Sequence, residues 1–136
     1  MKLAFVILNY NTYAETTACV SSIVEHMDID DYKIVIVDNG SKDDSYNQLQ
    51  NKYLSNAGVD VISTGENLGF ARGNNVGIKY VNKNYSPDFV VVLNSDIELF
   101  QDELYARLLT EYEHSHFGVW GPMMIIGTAR CDDSPW

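Results

Sequence analysis

The chain has 136 residues, of which 46% are hydrophobic and 21% are charged, a composition typical of one soluble globular domain. Nineteen acidic residues outnumber nine basic ones and give a formal net charge of −10 at pH 7, which disfavours nucleic acids and anionic lipid surfaces as partners. The apolar opening run, residues 3–8, is far shorter than the roughly 20 residues that a membrane span needs. We therefore expect a cytoplasmic protein.

The first strand and the first helix are marked by a change of hydrophobic period. Residues 2–9 form a continuous apolar run that ends in polar residues, a pattern typical of a strand buried on both faces. Thr12 and Glu15 have the spacing of a capping box at the start of a helix predicted over residues 13–26. The apolar face of that helix comprises Cys19, Val20, Ile23, Val24 and Met27.

A second strand and helix follow. Residues 33–37 predict another buried strand, and residues 38–41, Asp-Asn-Gly-Ser, end it with turn chemistry. Ser45, with Gln48 three residues later, is the expected cap of the second helix. Its apolar face comprises Tyr46, Leu49 and Tyr53.

The alternation continues to the end of the chain. Residues 59–63 predict a third strand, and the loop at residues 65–69 leads into a third helix that we expect to end near Val81. Residues 89–93 predict a fourth strand. A fourth helix, marked by Leu104, Leu108 and Tyr112, precedes a fifth strand predicted over residues 118–124.

Strands that alternate with helices predict an α/β fold with a mainly parallel sheet. With strand order 3-2-1-4, the chain reverses its direction of winding between the first and fourth strands, and ligands of such sheets bind outside the carboxyl ends of the strands at that point. Three polar segments follow these strand ends: residues 9–11, 38–41 and 94–96.

The sequence disfavours two common classes of nucleotide-binding protein. The first turn, residues 9–12, contains no glycine, and the chain has no Gly-x-x-x-x-Gly-Lys-Ser/Thr run, so nicotinamide enzymes and phosphate-loop ATPases are disfavoured. Asp38 ends the second strand, where a carboxylate can accept hydrogen bonds from a base or a ribose. The alternative is that Asp38 serves the turn alone, because Asp-Asn-Gly-Ser is turn chemistry in any protein.

Asp96 is a candidate metal ligand. A carboxylate at the end of a strand can hold Mg²⁺ or Mn²⁺ that also binds substrate phosphates. The alternative is that Asp96 caps a short turn through residues 97–99. Arg72, at the start of the third helix, is a further group that can assist an anionic diphosphate.

Three segments taken in order, residues 6–11, 36–43 and 67–77, resemble the family 2 glycosyltransferases, which are inverting enzymes with the GT-A fold. The resemblance covers nearly the whole chain, and the segment at residues 67–77 is similar to the rhamnosyltransferase-like branch. It implies a Rossmann-like three-layer sandwich. It also implies that Asp38 contacts the nucleotide base and that Asp96 ends the family's Asp-x-Asp metal motif, whose first position is Asn94 here.

The resemblance completes the list of expected site residues. The nucleotide-binding set comprises Asn9, Asn11, Asp38, Asn39, Asn67, Arg72, Asn94 and Ser95, and the metal ligand is Asp96, with Mg²⁺ or Mn²⁺ as the cofactor. Residues 1–126 are expected to be the nucleotide-sugar-binding part, and residues 127–136 a tail that leads toward an absent acceptor-binding half. Loss of that half would expose apolar surface near Trp120, Met123 and Ile125 and favour self-association.

The expected function follows from the same resemblance. The chain would bind a UDP- or dTDP-sugar and transfer the sugar, with inversion, to a saccharide or lipid-linked acceptor in cell-surface polysaccharide synthesis. The expected place is the cytoplasm, including the inner face of the membrane. No general base is assigned, and the chain alone is expected to be incomplete as a catalyst. The main alternative is a non-catalytic nucleotide-sugar-binding module; a sugar-phosphate nucleotidyltransferase is disfavoured, because its Gly-rich opening loop is missing.

Overall fold

The computed structural model describes residues 2–100 and 102–119, together with the backbone of residues 125–126 and 129–130. The chain divides into two compact units, residues 1–105 and residues 106–136. The strands are β1 (Leu3–Asn9), β2 (Tyr32–Asp38), β3 (Val59–Ser63), β4 (Phe89–Asn94), β5 (Ile125–Ile126) and β6 (Ala129–Arg130). The helices are α1 (Tyr13–His26), α2 (Ser45–Tyr53), α3 (Phe70–Asn84) and α4 (Leu104–Ser115).

The first unit contains a four-stranded parallel sheet in the order β3-β2-β1-β4, which confirms the predicted topology. Asn9 pairs with Asp38 across β1 and β2, and Leu8 pairs with Asn94 across β1 and β4. The polar residues that end these strands therefore lie at one edge of the sheet. β5 and β6 form a separate antiparallel pair.

Helices cover both faces of the sheet. Val6 packs with Val81 of α3 in one cluster, whereas the side chain of Asn9 bonds Thr16 of α1. Because residues 6 and 9 have opposite parity on one strand, α1 and α3 lie on opposite faces. α2 packs beside α1 and against β3. The three-layer sandwich expected from the sequence is confirmed.

Two glycines let α3 lie unusually close to the sheet. A Cβ atom at Gly77 would stand 2.4 Å from Val6 Cγ1 and 2.8 Å from Val37 Cγ2. At Gly73 it would stand 2.6 Å from Leu8 Cδ1. Real Cβ atoms do not approach other carbons this closely, so Gly77, which faces stiff valines, requires glycine for packing, whereas at Gly73 the end of the flexible Leu8 side chain would have to move. The N-terminal turn of α3 is thereby held directly over the polar ends of β1 and β2.

The helix caps differ from those predicted. Thr12 occupies the N-cap position of α1, but its side chain makes no capping hydrogen bond. The N-cap position of α2 is Asp44 rather than Ser45, and Asp44 makes no side-chain capping bond either; the backbone N–H of Ser45 donates to Asp43 Oδ1 at 3.0 Å. In neither helix does the predicted residue make a side-chain capping bond; the hydroxyl of Thr12 donates instead to Asn9 Oδ1 at 3.1 Å.

Three further expectations differ at the margins. Val24, predicted on the buried face of α1, is 54% exposed, and α3 continues past Val81 to Asn84. Residues 118–119 form a bend rather than a strand, and the remainder of the predicted fifth strand, residues 120–124, lies outside the described residues. Most of the predicted tail at residues 127–136 also lies outside them, as do the side chains proposed for self-association. Within the described residues, no helix is both long enough and apolar enough to cross a membrane.

Candidate functional site

A buried amide links the ends of β1 and β2. Asn9 is 0% exposed. Its Nδ2 donates to Asp38 Oδ2 at 2.8 Å and to Ser41 Oγ at 3.1 Å. Its Oδ1 accepts from Thr16 Oγ1 at 2.8 Å and from Thr12 Oγ1 at 3.1 Å. These four bonds use the full capacity of an amide, so the side chain of Asn9 is occupied entirely by the protein.

Asp38 is held in the same network. The residue is 2% exposed, and besides the bond from Asn9 its carboxylate accepts from Ser41 Oγ at 2.5 Å and from Ser41 N at 3.1 Å. A carboxylate offers about four acceptor positions, so roughly one remains for a ligand. The turn role expected as the alternative is thus present in the structure.

Asn11 connects the first turn to the second. Its φ of 55° lies in the left-handed region, which asparagine tolerates better than most residues. The backbone N–H of Asn11 donates to Ser41 Oγ at 2.9 Å, and its Oδ1 accepts from Lys42 N at 2.7 Å. The residue itself is exposed. Its contacts place the two turns side by side at the sheet edge.

Asn39 ties the second turn to the loop before α3. The residue is 3% exposed, its Oδ1 accepts from Leu68 N at 3.1 Å, and its Nδ2 donates to Asn67 Oδ1 at 3.2 Å. Gly40, at φ 73°, lies so close that a Cβ would stand 2.4 Å from the backbone carbon of Glu66. The structure therefore brings Asn39 and the exposed Asn67 together.

The turn after β4 completes this edge of the sheet. Asn94 and Asp96 are exposed, and Ser95 is half-buried, with its Oγ 3.0 Å from Thr12 Oγ1. The backbone N–H of Ile97 closes the turn by donating to Asn94 O at 3.2 Å. The carboxylate of Asp96 forms no hydrogen bond within the described part of the chain, so it does not serve as the cap that was weighed against the metal role.

An open cavity of about 300 Å³ lies between α1 and this turn. Its lining residues are Ala14, Glu15, Ala18, Ser95, Asp96 and Glu98. Although three of these are acidic, the described residues contain no group of three or more metal-ligating side chains arranged to hold an ion. A metal here would therefore take at most two of the described side chains and complete its shell with other ligands.

One expected site residue is not joined to the rest. Arg72 is exposed on the first turn of α3, and no hydrogen bond or ion pair of its guanidinium is formed within the described segments. Thr16, which the sequence did not point to, and Ser41, which belongs to the polar segment 38–41, hold Asn9 and Asp38 in place. Nothing in the hydrophobic pattern distinguishes them, because a buried threonine on a helix face is compatible with simple packing.

Comparison with known proteins places this geometry in a family. The family model described as Glycosyl transferase family 2 matches residues 4–130. The low-salt glycan biosynthesis hexosyltransferase Agl10 of Haloferax volcanii is 26% identical over 123 residues, which cover 90% of this chain and 36% of that protein. The chain thus spans about a third of the length of this relative.

Solved structures share the fold. TarS 1-349 of S. aureus in complex with UDP-GlcNAc superposes with a TM-score of 0.68 at 23% identity, covering 85% of this chain and 32% of that one. The mannosyltransferase PcManGT of Pyrobaculum calidifontis, in complex with GDP-Man and Mn²⁺, gives a TM-score of 0.69 at 15% identity, covering 82% and 32%. At these identities the matches show a common fold, the GT-A arrangement of β3-β2-β1-β4.

Proposed function

The chain belongs to glycosyl transferase family 2, and on that basis we propose that it binds a UDP- or dTDP-sugar for transfer, with inversion, to a saccharide or lipid-linked acceptor in cell-surface polysaccharide synthesis. Residues 1–126 form the donor-binding part in this proposal. The observation that carries it is the polar network of Asn9, Asp38 and Ser41 at the switch point of the sheet. TarS and PcManGT, which share the fold, were solved with nucleotide sugars bound.

The burial of each residue suggests its part in donor binding. Asp38 accepts a hydrogen bond from the base through its remaining acceptor position. Asn9 and Asn39, at 0% and 3% exposure, act as positioning residues rather than as ligand contacts. The exposed or half-buried members of the set line the site: Asn11, Asn67, Arg72, Asn94 and Ser95.

A divalent cation, Mg²⁺ or Mn²⁺, fits the end of β4. The carboxylate of Asp96 is exposed and unbonded within the described residues, and such ions commonly take one or two protein carboxylates together with substrate phosphates. When bound, the ion would neutralise charge on the departing diphosphate. This chain carries a formal charge of −10, so an anionic donor gains from that compensation. PcManGT was solved with Mn²⁺.

Calorimetric titration with UDP and dTDP, in the presence of Mn²⁺, tests the function. The parent protein should bind at least one of them, and Asp38→Ala should weaken that binding by about 1–3 kcal/mol, the usual effect of removing a buried hydrogen-bonding partner. Asp88→Ala removes an exposed carboxylate before the other end of β4 and should leave the affinity unchanged.

The test of the proposed function and the test of the role of Asp38 have separate contrary outcomes. A parent protein that binds neither nucleotide contradicts the proposed function. Unchanged affinity in a folded Asp38→Ala variant removes only Asp38 from the site.

Metal dependence is tested in the same assay. Mn²⁺ should strengthen diphosphate binding in the parent protein, and chelation with EDTA should abolish that gain. Asp96→Asn should lose most of the enhancement, because a neutral amide is a weaker ligand for a hard cation. Glu98→Gln, at another acidic residue that lines the same cavity, is the matched control. Affinity that is indifferent to EDTA would refute the metal, and equal enhancement in Asp96→Asn would assign the ligand to another residue.

A further inference from the structure

One buried amide near the strand ends is left without a partner. Asn74 of α3 is 5% exposed, and neither its Oδ1 nor its Nδ2 has a hydrogen-bond partner among the described residues. Unpaired amides in a protein interior cost stability, which is why nearly all buried polar groups are bonded. Ser45 and Tyr53 of α2 also carry an unpaired buried hydroxyl, but Asn74 is the side chain that leaves two polar atoms unpaired.

Helix geometry places Asn74 on the β4 side of α3. Gly77 lies over Val6 and Val37, between β1 and β2, while Tyr80 reaches toward β3 and bonds Asp60 there. At about 100° per residue, positions 74 and 80 stand some 60° to either side of position 77. Position 74 therefore faces away from β3, toward β1 and β4.

The contacts of the preceding residue, Gly73, show which level of the strands Asn74 faces. Gly73 lies against Leu8 and Asn39, and Leu8 pairs with Asn94 at the end of β4. Asn74 is thus level with the carboxyl ends of β1 and β4, where the direction of winding reverses. On this face of β4 the described residues leave an opening, because Asn94 is exposed and Val92 is 41% exposed.

The donor and acceptor atoms of the Asn74 amide indicate which part of a nucleotide could bind it. An amide needs both a donor and an acceptor from its partner. A diphosphate offers acceptors alone, whereas a nucleoside offers carbonyl acceptors on its base and hydroxyl donors on its ribose. We propose that Asn74 contacts the nucleoside part of the donor at the β1–β4 opening and helps to determine which nucleotide is bound. This inference rests on the proposed function.

Asn74→Leu separates this role from a structural one. Leucine keeps the branching at Cγ and removes the polar atoms, so the free variant should unfold at a urea midpoint no lower than the parent's, since no amide remains unpaired. Its affinity for UDP should fall roughly tenfold, the effect of one lost neutral hydrogen-bonding group. Uridine should lose affinity by the same factor, because the contact is to the nucleoside. Asn82→Leu, at an exposed position of the same helix, is the control and should change neither affinity.

Each contrary outcome overturns the assignment. Unchanged UDP affinity in folded Asn74→Leu would mean that the amide serves the protein alone, and a loss seen with UDP but not with uridine would place the contact on the phosphates. If Asn74→Leu does not fold, Asn74→Ala decides by the same two affinities. A parent protein that binds neither UDP nor dTDP would instead contradict the proposed function itself.

Discussion

Hydrogen-bond direction explains why an amide occupies position 9. The hydroxyls of Thr12 and Thr16 donate to Asn9 on one side, and the carboxylate of Asp38, which can only accept, lies on the other. Asparagine joins the two because it accepts at Oδ1 and donates at Nδ2. An aspartate at this position would face Asp38 with a second negative charge, and an apolar residue would leave buried polar atoms unpaired.

The thiol of Cys19 should be inert in the folded protein. The residue is 0% exposed, and burial, followed by the nearby charges of Asp96 and Glu98, raises its pKa to about 12. Because the thiolate is the reactive form, we expect a disulfide reagent to modify Cys19 only as fast as the chain unfolds. The measurement is the labelling rate in a Cys131→Ser background, with and without concentrated urea.

Ser21→Cys supplies the comparison for this labelling experiment. It adds a thiol at an exposed position on the same helix and should react at once under native conditions. Rapid labelling of Cys19 at a similar rate would show that the core around α1 opens readily.

Sequence patterns predict which polar residues lie together at the strand ends better than they predict the bonds between them. Asp38 was recognisable because it ends a run of buried β-branched residues, and the ends of parallel strands share one edge of the sheet. Its bond to Ser41 and the bond from Thr16 to Asn9 were not recognisable, since periodicity indicates which face a residue occupies and not its partner. Arg72 shows the same limit: a helix position does not determine where a long side chain lies.

At the scale of elements, tertiary contacts decide where helices begin and end. The apolar period of α3 stops at Val81, yet the helix continues to Asn84, and the backbone N–H of Tyr85 still donates to Val81 O at 2.9 Å. The ring of Tyr85 explains the extension, because its hydroxyl bonds Asp60 of β3 and its face lies 5.0 Å from Lys33 Nζ. A contact with a distant strand is absent from the local pattern that predicted the helix end.

The contact between α3 and the sheet should not tolerate one added methyl group at position 77. Gly77→Ala gains helix propensity, but its Cβ would meet Val6 and Val37 at 2.4 and 2.8 Å, and β-branched side chains have little freedom to move away. We expect a net loss of about 1–2 kcal/mol in the free energy of unfolding, measured with urea. Gly118→Ala meets nothing within 4 Å and should be nearly neutral. An unchanged or higher stability for Gly77→Ala would show that α3 can shift outward without cost.

At the scale of the whole molecule, the buried charged side chains have different partners at the two ends of the sheet. At the carboxyl ends of the strands, the carboxylate of Asp38 accepts hydrogen bonds from uncharged donors only, among the described residues. Near the amino ends, Lys33 is 6% exposed, and its Nζ lies 2.6 Å from Asp60 Oδ1. The other carboxylate oxygen of Asp60, Oδ2, accepts hydrogen bonds from the hydroxyls of Tyr80 and Tyr85. The ion pair satisfies a buried cation and joins β2, β3 and α3.

This ion pair should make the stability of the fold depend on pH in the acidic range. Burial raises the pKa of Asp60, but the bonds from Lys33, Tyr85 and Tyr80 outweigh that effect and hold the pKa below its ordinary value. A carboxyl with a lowered pKa in the folded state contributes stability that is fully present above its ordinary pKa of about 3.9 and is lost as the pH falls through the folded value. Unfolding free energies measured from neutral pH downward should therefore fall less steeply in Asp60→Asn than in the parent.

Asp88→Asn is the matched control, because Asp88 is exposed. Its stability should follow the acid dependence of the parent protein. If Asp60→Asn and Asp88→Asn show the same slope, the ion pair does not contribute to acid sensitivity.

Gly40 lies close to the backbone of Glu66, and this contact affects the stage of folding at which the site can form. The turn at residues 38–41 can begin to form as soon as β2 does, because its contacts are local. Its final shape depends on a segment about 26 residues further along, and closing such a loop costs chain entropy before any contact is gained. We therefore expect the candidate site to assemble only after β3 has paired and α3 has docked, so that a chain stalled before that step would hold a partial sheet without the candidate site.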